Sequence, residues 1–224
     1  MQKKPELVVM LTYQDVTVKN ARAVFEQCRD SKAKIWGFKE KPLPLKEMQA
    51  LCAEMKQCGK ETALEVVAYT EQEGLAGAET AVACGVDYLM GTKYFDSIHA
   101  LCREHGLRYL PFVGTVTGRP SVLEGTVSGM VAEARSYLEK GVFGIDLLGY
   151  RYTGDGAALN RAFVELVDAP VCIAGSVDSY QRLDELCEAA PWSFTIGSAF
   201  FDGRFGGTMR EQIDRVCDYM EEKA

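Results

Sequence analysis

The sequence has 224 residues, 47% of them hydrophobic, which is enough for one large domain with a sizeable core. Its formal net charge of −7 argues against nucleic acid as the main partner, because phosphate neutralisation needs clustered Lys and Arg. No apolar run is long enough to cross a membrane, and the short apolar stretch near the N-terminus lacks a small-residue cleavage site. We therefore expect a chain that has no signal peptide and binds neither nucleic acid nor membrane.

Eight cysteines are scattered along the chain, and none forms a Cys-x-x-Cys pair. This pattern predicts reduced, small core residues of a cytoplasmic protein, and it argues against disulfides and metal ligands. The two histidines, His99 and His105, fall on one predicted helix without the i, i+4 spacing of a zinc pair, and we expect both at the surface. No nucleotide-binding motif is found in the sequence, so we expect no metal and no cofactor.

One pattern repeats along the whole chain: a short apolar run, a polar turn, and then an amphipathic stretch. In chain order the apolar runs are LVVMLTY, AKIWGF, ALEVVAYT, VDYLMG, LRYLPFVG, VFGIDLLG, APVCIAG and WSFTIG. The stretch after the second run, PLKEMQALCAEMKQCG, is typical of a helix with one buried face, because its apolar residues recur at helical spacing. The pattern predicts eight strand–helix units.

Continuous apolar strands favour a parallel sheet that is buried on both faces. Four of the predicted helices are followed by a glycine, where a left-handed cap is expected: Gly59, Gly85, Gly106 and Gly141. Eight units in a chain of this length indicate an α/β fold, the (β/α)8 TIM barrel, with residues 1–224 as a single domain. A doubly wound open sheet is the alternative, but it rarely needs eight regular units, and a Gly-rich first turn is missing.

In this barrel fold, binding and catalytic residues come from the carboxyl ends of the strands. Strands 7 and 8 end in similar stretches, IAGSVDS and TIGSAFFDG, in which Gly-Ser follows aliphatic residues. Glycine lets a ligand approach the backbone closely, and free N–H groups can hold an anion without a cationic side chain. We therefore predict a phosphate site formed by Gly175, Ser176, Gly197 and Ser198, with ordinary turns as the alternative.

These paired strand ends resemble the phosphate-binding half of the ribulose-phosphate-binding barrel superfamily. Over the C-terminal third, GIDLLGYRYTG and FVELVDAPVCIAGSVDSYQRLDELCEA resemble strands 6 and 7 of N-acetylmannosamine-6-phosphate 2-epimerases in order and spacing. The resemblance implies a barrel that binds a phosphorylated sugar. It does not extend to the reaction, because Ala174 stands where that family has an acidic residue, and Ala68 and Tyr69 stand where its catalytic lysine is expected.

Three side chains carry the predicted chemistry: Lys39 at the end of strand 2, Lys93 after strand 4, and Asp146 within strand 6. Burial or a second nearby cation lowers the pKa of a lysine, which makes the amine a base or an imine-forming nucleophile. A carboxylate inside an apolar strand needs a partner, so Asp146 could act as an acid or base, or orient Lys93. Solvated loop positions for the lysines and a rim salt bridge for Asp146 stay open.

Other loop residues are candidates for binding the substrate. Arg119 and Arg151 could grip a carboxylate or the far end of a phosphorylated substrate. Tyr150 could cover the ligand, and the segment RFGG could close beside the phosphate. Asp15 and Glu71 are further carboxylate candidates.

Together these features predict an enzyme that acts on a small phosphorylated sugar or sugar acid by isomerase- or epimerase-type proton transfer. A Schiff-base aldolase or lyase that uses Lys93 is one alternative, and a non-catalytic barrel that binds a phosphorylated ligand is another. The expected partner is a small phosphorylated metabolite. The chain could also form a homodimer, with exposed aromatic residues such as Trp192 or Phe205 at the interface.

Overall fold

The computed structural model describes residues 4–223. Eight parallel strands form one sheet: β1 (Glu6–Met10), β2 (Ile35–Lys39), β3 (Glu61–Val66), β4 (Tyr88–Gly91), β5 (Arg108–Leu110), β6 (Ile145–Leu147), β7 (Val171–Ile173) and β8 (Ser193–Ile196). The strands lie in the order β6-β7-β8-β1-β2-β3-β4-β5, so that β8 pairs with β1. This order is a cyclic permutation of the chain order, as a barrel requires.

The two ends of this sheet meet between β5 and β6. A single parallel bridge joins them, with Phe112 opposite Asp146, and the Asp146 N–H donates to the Pro111 carbonyl at 3.1 Å. On the same seam the Phe143 N–H donates to the Tyr109 carbonyl at 3.1 Å. The strands therefore form a nearly closed (β/α)8 TIM barrel, which confirms the predicted fold.

Helices pack on the outside of the barrel and connect successive strands. They are α1 (Ala21–Cys28), α2 (Leu45–Gln57), α3 (Glu71–Cys84), α4 (Asp96–Glu104), α5 (Val127–Glu139), α6 (Gly156–Leu166), α7 (Tyr180–Ala189), α8 (Ser198–Phe201) and α9 (Met209–Lys223). A short 3-10 turn, Gly149–Arg151, precedes α6. Among residues 4–223, none of these helices has both the length and the apolar character needed to cross a bilayer.

Polar side chains cap the starts of two helices, and glycines follow four helices, as the sequence predicts for the glycines. The Thr126 hydroxyl accepts the Gly129 N–H at 3.1 Å at the start of α5, and the Asp155 carboxylate accepts the Ala158 N–H at 3.0 Å at the start of α6. Gly85 ends α3 in the left-handed conformation. The other three glycines predicted at helix ends also have positive φ, namely Gly59, Gly106 and Gly141.

The alternation of side chains along the strands separates two cores. Leu64 and Val66 belong to the large core between the sheet and the helices, whereas Ala63 belongs to a smaller core inside the barrel. Gly37 makes room in the interior, because a Cβ there would lie 2.5 Å from the Met10 sulfur. The buried residues of the inner core are Val8, Met10, Ile35, Ala63, Tyr88, Met90, Leu110 and Cys172.

Two β-hairpins lie at the barrel mouth in addition to the eight predicted units. The first hairpin pairs Thr12–Tyr13 with Val16–Thr17, and the second hairpin pairs Thr115–Thr117 with Val122–Glu124. The Tyr69 hydroxyl at the end of β3 holds the second hairpin by donating to the Gly118 carbonyl at 2.8 Å. Strands of two or three residues are too short to show a periodic pattern, so the sequence did not predict them.

Burial corrects three expectations about the surface. His99 is only 6% exposed and Phe205 only 3%, and Trp192 is half-buried against Tyr88 and Phe143. Each of these rings has aromatic neighbours within the barrel or its helices, which explains why an apolar or amphipathic ring was drawn inward. The two aromatic residues named for a homodimer therefore do not offer an exposed surface, and the homodimer itself stays a prediction.

The eight cysteines are free thiols, and six of them are buried. Burial raises the pKa of the Cys102 thiol to about 12, so this group is neutral at physiological pH. The buried cysteines therefore act as small apolar core residues, as the sequence predicts.

Candidate active site

A cavity of about 230 Å³ opens at the carboxyl ends of the strands, which is where this fold places its binding sites. Its lining has two parts. The charged floor consists of Asp15, Lys39 and Glu65, from the first hairpin, β2 and β3. The backbone rim consists of Gly175–Ser176 and Gly197–Ser198, which follow β7 and β8. Four residues predicted to bind phosphate therefore line the same cavity as Lys39.

The charged floor is centred on Lys39, the last residue of β2. Its Nζ lies 2.5 Å from Asp15 Oδ1 and 3.3 Å from Glu65 Oε1. The side chains of Lys39 and Glu65 are 10% and 11% exposed, and that of Asp15 is 20% exposed. Charges in so sheltered a site interact more strongly than they would in water, so the two carboxylates hold the ammonium in place.

The two carboxylates also decide the charge of Lys39. Burial by itself would lower the pKa of Lys39, because burial disfavours the charged form. The Glu65 and Asp15 carboxylates outweigh burial and raise the pKa of Lys39 above its ordinary value. Lys39 is therefore a cation at neutral pH. Because a protonated amine is not a nucleophile, the floor suits stabilisation of negative charge better than imine formation at Lys39.

The first hairpin brings Asp15 to Lys39. Its two-residue turn, Gln14 and Asp15, has φ angles of 48° and 69°, a left-handed conformation that Asp tolerates better than most residues. Thr17 fixes the hairpin to β2, since its hydroxyl donates to the Lys39 carbonyl at 2.8 Å and accepts from the Lys39 N–H at 2.8 Å. The turn thus places a carboxylate directly over the lysine.

Asp146 lies in the barrel interior and does not line the cavity. Its side chain is fully buried, and neither carboxyl oxygen has a hydrogen-bond partner within residues 4–223. Burial and the nearby Glu65 carboxylate raise the pKa of Asp146 well above its usual range, against the opposing effect of Lys39. Lys39 and Glu65 therefore act electrostatically on Asp146, which is buried in the barrel interior.

The backbone rim depends on its two glycines. Gly175 has a φ of 120°, and a Cβ there would lie 3.0 Å from the Cβ of Tyr150. A Cβ on Gly197 would lie 2.5 Å from Thr12 Oγ1. Each glycine therefore lets the end of its strand pack against the loop of the neighbouring strand, which brings the two Gly-Ser segments to the same cavity.

The rim presents backbone donors to the cavity. The N–H groups of Ser176, Ser198 and Ala199, which all line it, have no acceptor in the described part of the chain. Such groups can hold an anion without a charged side chain. The Ser198 hydroxyl accepts the Gln14 N–H at 3.1 Å, so the rim also contacts the first hairpin.

Two arginines add positive charge beside the rim. Arg151 and Arg204 line the cavity, and neither forms an ion pair within residues 4–223. Asp178 also lines it, but this carboxylate lies 3.4 Å from Nη1 of Arg182, on α7. The Asp202 carboxylate also lines the cavity, after α8. The side of the cavity near the rim therefore combines two guanidinium groups without ion pairs and free N–H groups, which favour an anion, with one carboxylate that opposes it.

Two other predicted binding residues do not line the cavity. Arg119 lies on the second hairpin, and its Nη2 donates to the Val67 carbonyl, so it holds a loop in place. Tyr150 lies behind Gly175, and its hydroxyl donates to the Arg182 carbonyl at 3.3 Å. Tyr150 therefore supports the rim through its backbone and does not cover the ligand from this position.

Lys93 and Glu71, at the ends of β4 and β3, also lie away from the cavity. Lys93 is half-buried, its Nζ has no partner in the described chain, and its carbonyl accepts the Tyr109 hydroxyl at 3.1 Å. It follows Thr92, which has a φ of 64°, an uncommon conformation for a β-branched residue. Glu71 is exposed and accepts the Ser97 hydroxyl at 2.6 Å. A catalytic role for Lys93 stays a prediction.

Glu65 is the main residue of the cavity that the sequence analysis missed. It lies inside the apolar run ALEVVAYT, whose pattern predicts a strand and gives no separate indication of a binding residue. A carboxylate in such a run needs a partner, which is the argument that drew attention to Asp146. The same argument applied to β3 would have found Glu65. Thr12 and Thr195 also line the cavity and carry no comparable signal.

The residues of the cavity fit an anionic ligand better than a metal ion. Within residues 4–223, no three His, Cys, Asp or Glu side chains come together as a metal site. The Asp15 and Glu65 carboxylates both contact the Lys39 ammonium, which occupies the position between them that a metal ion would need.

Neither a protein-family model nor a curated protein matches the sequence. Solved structures do share the fold. The native KDPGal structure is 15% identical with a TM-score of 0.71, and the match covers 100% of this chain and 98% of that chain. Orotidine 5'-phosphate decarboxylase from Pyrococcus horikoshii OT3 is 14% identical with a TM-score of 0.71, covering 96% and 99% of the two chains. N-(5'-phosphoribosyl)anthranilate isomerase from Pyrococcus furiosus is 10% identical with a TM-score of 0.66, covering 97% and 99%.

At these identities the likeness shows the fold. It extends over the whole barrel, whereas the sequence resemblance covered only the C-terminal third. The closer resemblance to N-acetylmannosamine-6-phosphate 2-epimerases stays a prediction. The chain is a (β/α)8 barrel similar in fold to proteins whose names refer to phosphorylated ligands.

Proposed function

We propose that this protein is an enzyme that acts on a small phosphorylated sugar or sugar acid by proton transfer, as isomerases and epimerases do. One observation carries the proposal: a single cavity joins free backbone N–H groups at Gly175–Ser176 and Gly197–Ser198 to a sheltered lysine that contacts two carboxylates. The rim supplies a phosphate site, and the floor supplies the acid–base groups.

The charges of the floor suit chemistry at a carbon next to a carbonyl group. Glu65 or Asp15 takes the proton from that carbon, and the electrons of the broken C–H bond form an enolate. The Lys39 ammonium stabilises the negative oxygen of the enolate, which is the role that fixed positive charge performs best in a sheltered site. Return of the proton to the other face of the same carbon inverts it. Return to the neighbouring carbon isomerises the sugar when the proton of the enol hydroxyl passes to the enolate oxygen.

Size and position support a substrate of this kind. A cavity of about 230 Å³ has room for a small metabolite. The phosphate would bind at the rim with Arg151 and Arg204 beside it, and the reacting carbon would lie over Lys39. The fold is also that of an orotidine 5'-phosphate decarboxylase and an N-(5'-phosphoribosyl)anthranilate isomerase, whose names denote phosphorylated substrates. A cytoplasmic location belongs to the same proposal, because the free cysteines suit a reducing compartment.

A second candidate is a lyase that forms an imine at Lys93. The observation in its favour is that the half-buried Lys93 amine has no carboxylate partner within residues 4–223, so no ion pair blocks its access to a carbonyl group. Its position outside the cavity is the argument against it. Borohydride trapping followed by mass spectrometry separates the two mechanisms, since an adduct on Lys93 requires an imine and enolisation at Lys39 leaves none.

The first test is a thermal-shift screen with pairs of sugars and sugar acids, each in phosphorylated and unphosphorylated form. Ligands that bind the folded state raise the melting temperature. We expect the phosphorylated members to do so, and Ser176→Glu to abolish the shift by placing a carboxylate at the rim. Ser128→Glu, at an exposed position on α5, is the matched control. Shifts by unphosphorylated compounds alone would overturn the proposed phosphate site.

The second test measures the reaction with the best ligand in deuterium oxide. Proton transfer at carbon incorporates deuterium, which proton NMR detects as loss of one signal. We expect incorporation with the wild type, and incorporation slowed by about 10²–10³-fold with Lys39→Met. A ligand that binds at the rim without exchange or turnover would instead indicate a non-catalytic barrel.

A further inference from the structure

Asp146 is a buried carboxyl group for which the proposed reaction has no direct use. Its neighbours in β6, Ile145 and Leu147, belong to the core between the sheet and the helices, so the alternation of the strand turns Asp146 into the barrel. Its register partner on β7 is Cys172, which belongs to the inner core. Asp146 therefore points into the barrel interior among apolar side chains.

The interior offers this carboxyl group no partner of its own. Asp146 is fully buried, and both of its oxygens lack a hydrogen bond within residues 4–223. The ammonium of Lys39 is already in contact with Asp15 and Glu65. An unpaired carboxylate in such a place costs far more than a neutral carboxylic acid, because only the neutral form avoids the loss of hydration.

The polar side chains around Asp146 lie on four strands of the barrel, β2, β3, β7 and β8. Glu65 on β3 and Lys39 on β2 act on its charge, and the Cys172 thiol on β7 is itself influenced by Asp146 and Glu65. Ser193 on β8 faces Cys172 and is fully buried. The Gly91 backbone N–H, at the end of β4, also acts on the charge of Asp146. The inner-core side chains on β1, β4 and β5 are Val8, Met10, Tyr88, Met90 and Leu110.

We propose that the buried Asp146 carries a proton in the resting protein and that Glu65 does not. Asp146 is then a positioning residue: it stays neutral beneath the floor and leaves Glu65 ionised beside Lys39. The role rests on the proposed function, because an ionised Glu65 is what the proton transfer needs. The location of the proton can be measured without any substrate.

The proton balance follows from this assignment. When Glu65 takes a proton from the substrate carbon, the Glu65–Asp146 pair holds two protons, and the electrons of the C–H bond lie on the enolate beside Lys39. When Glu65 returns a proton to carbon, the pair again holds one. Asp146 needs neither to touch the substrate nor to release its proton to solvent during a turnover.

Infrared spectroscopy of the protein at neutral pH tests where the proton lies. Exposed carboxyl groups are ionised there, so a protonated side chain gives a separate carboxylic C=O band. We expect such a band in the wild type and its loss in Asp146→Asn, which is close in shape to the neutral acid. Asp168→Asn, at an exposed carboxylate, is the matched control. Burial also raises the pKa of Glu40, so Glu40→Gln is needed to separate its contribution.

Two infrared outcomes would overturn the proposal. No carboxylic band in the wild type would mean that Asp146 and Glu65 are both ionised. Loss of the band in Glu65→Gln, with a band that persists in Asp146→Asn, would put the proton on Glu65. If a variant fails to fold, carbon-13 labelling of the aspartate carboxyl groups alone assigns the band in the wild type, because only a band of Asp146 then shifts.

Stability against pH is an independent measurement. An aspartate with a raised pKa binds its proton more tightly in the folded state, so the wild type loses stability as pH rises above the unfolded value of about 3.9. Asp146→Asn lacks this loss, and we expect its stability relative to the wild type to increase with pH. A stability difference that is constant with pH would overturn the proposal.

Turnover separates this proposal from the proposed function. In Asp146→Asn, the pH profile of deuterium exchange with the best ligand should lack one ionisation found in the wild type. An infrared band that vanishes in Asp146→Asn, together with no exchange for any ligand, would leave the buried proton on Asp146 standing and reject the enzyme. A pH profile of Asp146→Asn that keeps every ionisation of the wild type would reject the role of Asp146 as a positioning residue.

Discussion

The two sides of the cavity consist of different chemical groups, charged side chains on one side and backbone N–H groups on the other. The charged floor is made of side chains, with the single ammonium of Lys39 in contact with the carboxylates of Asp15 and Glu65. The backbone rim is made of N–H groups at two Gly-Ser segments, where the side chains contribute little. Loss of a floor residue should therefore alter the charge and the reactivity of the cavity. A change at a glycine of the rim should instead displace the backbone N–H groups.

The largest expected effect is that of Lys39→Met. Removing one member of a sheltered charge cluster leaves the carboxylates without compensation, which costs about 3–5 kcal/mol of unfolding free energy. We expect turnover to fall by about 10²–10³-fold as well, the usual cost of removing one group that stabilises developing negative charge. Urea unfolding measures the first effect, and Lys41→Met, at the exposed lysine two residues later, is the control.

The same variant makes a prediction about alkaline pH. Because the pKa of Lys39 is raised in the folded state, the stabilisation is complete below the unfolded value of about 10.4 and is lost as pH rises past it. The stability gap between the wild type and Lys39→Met should therefore shrink in strongly alkaline solution. A gap that stays constant would mean that packing of the Lys39 stem, and not its charge, stabilises the floor.

Gly175→Ala should have the next largest effect, and it tests the rim. The new Cβ adds a clash with Tyr150 to an unfavourable φ of 120°, so we expect a loss of about 3 kcal/mol together with loss of phosphate binding. Gly59→Ala isolates the cost of positive φ, because a Cβ there meets nothing within 4 Å. That control should cost about 1 kcal/mol. Equal costs would show that the rim does not depend on close packing.

Arg151→Met and Arg204→Met should affect ligand affinity and leave stability nearly unchanged. Each arginine lines the cavity without an ion pair in the described chain, and a hydrogen bond to a charged group is worth about 1.5–3 kcal/mol. Affinity for a phosphorylated ligand should fall by about tenfold or more, by calorimetry at constant salt, whereas its unphosphorylated parent should be unaffected. Arg103→Met, on an exposed face of α4, is the control.

The smallest expected effect belongs to Ser198→Ala, at the contact between the two sides. It removes the acceptor of the Gln14 N–H in an exposed hydrogen bond, so stability should change by about 1 kcal/mol or less. Hydrogen exchange at Gln14 should become faster, because that amide loses its acceptor. Unchanged exchange would mean that Asp15 and Thr17 alone hold the first hairpin.

The sequence predicted the barrel well because its signals are regular and local. Eight apolar runs, amphipathic stretches and the glycines at helix ends such as Gly85 are properties of short windows. The strand ends then placed Lys39 and the two Gly-Ser segments at one mouth, since parallel strands carry their carboxyl ends to the same side.

The parts that the sequence did not predict depend on contacts between distant residues. The first hairpin needs two residues per strand and a turn at Gln14–Asp15, which leave no periodic trace. His99 was expected at the surface because it lacks the spacing of a metal pair with His105, but Tyr94 and neighbouring rings bury it. Glu65 differs from these, because a carboxylate in an apolar strand is a local signal that was present in the sequence.

The seam between β5 and β6 gives Asp146 a second significance. A single bridge joins these two strands, and Asp146 supplies one side of it through its backbone while its side chain lies in the interior behind it. Sheets part most readily where few hydrogen bonds hold them. Brief opening of this seam would admit water to a carboxyl group that is otherwise sealed. The rate at which the β5–β6 seam opens would then set how fast Asp146 gains or loses its proton when the pH of the solution changes.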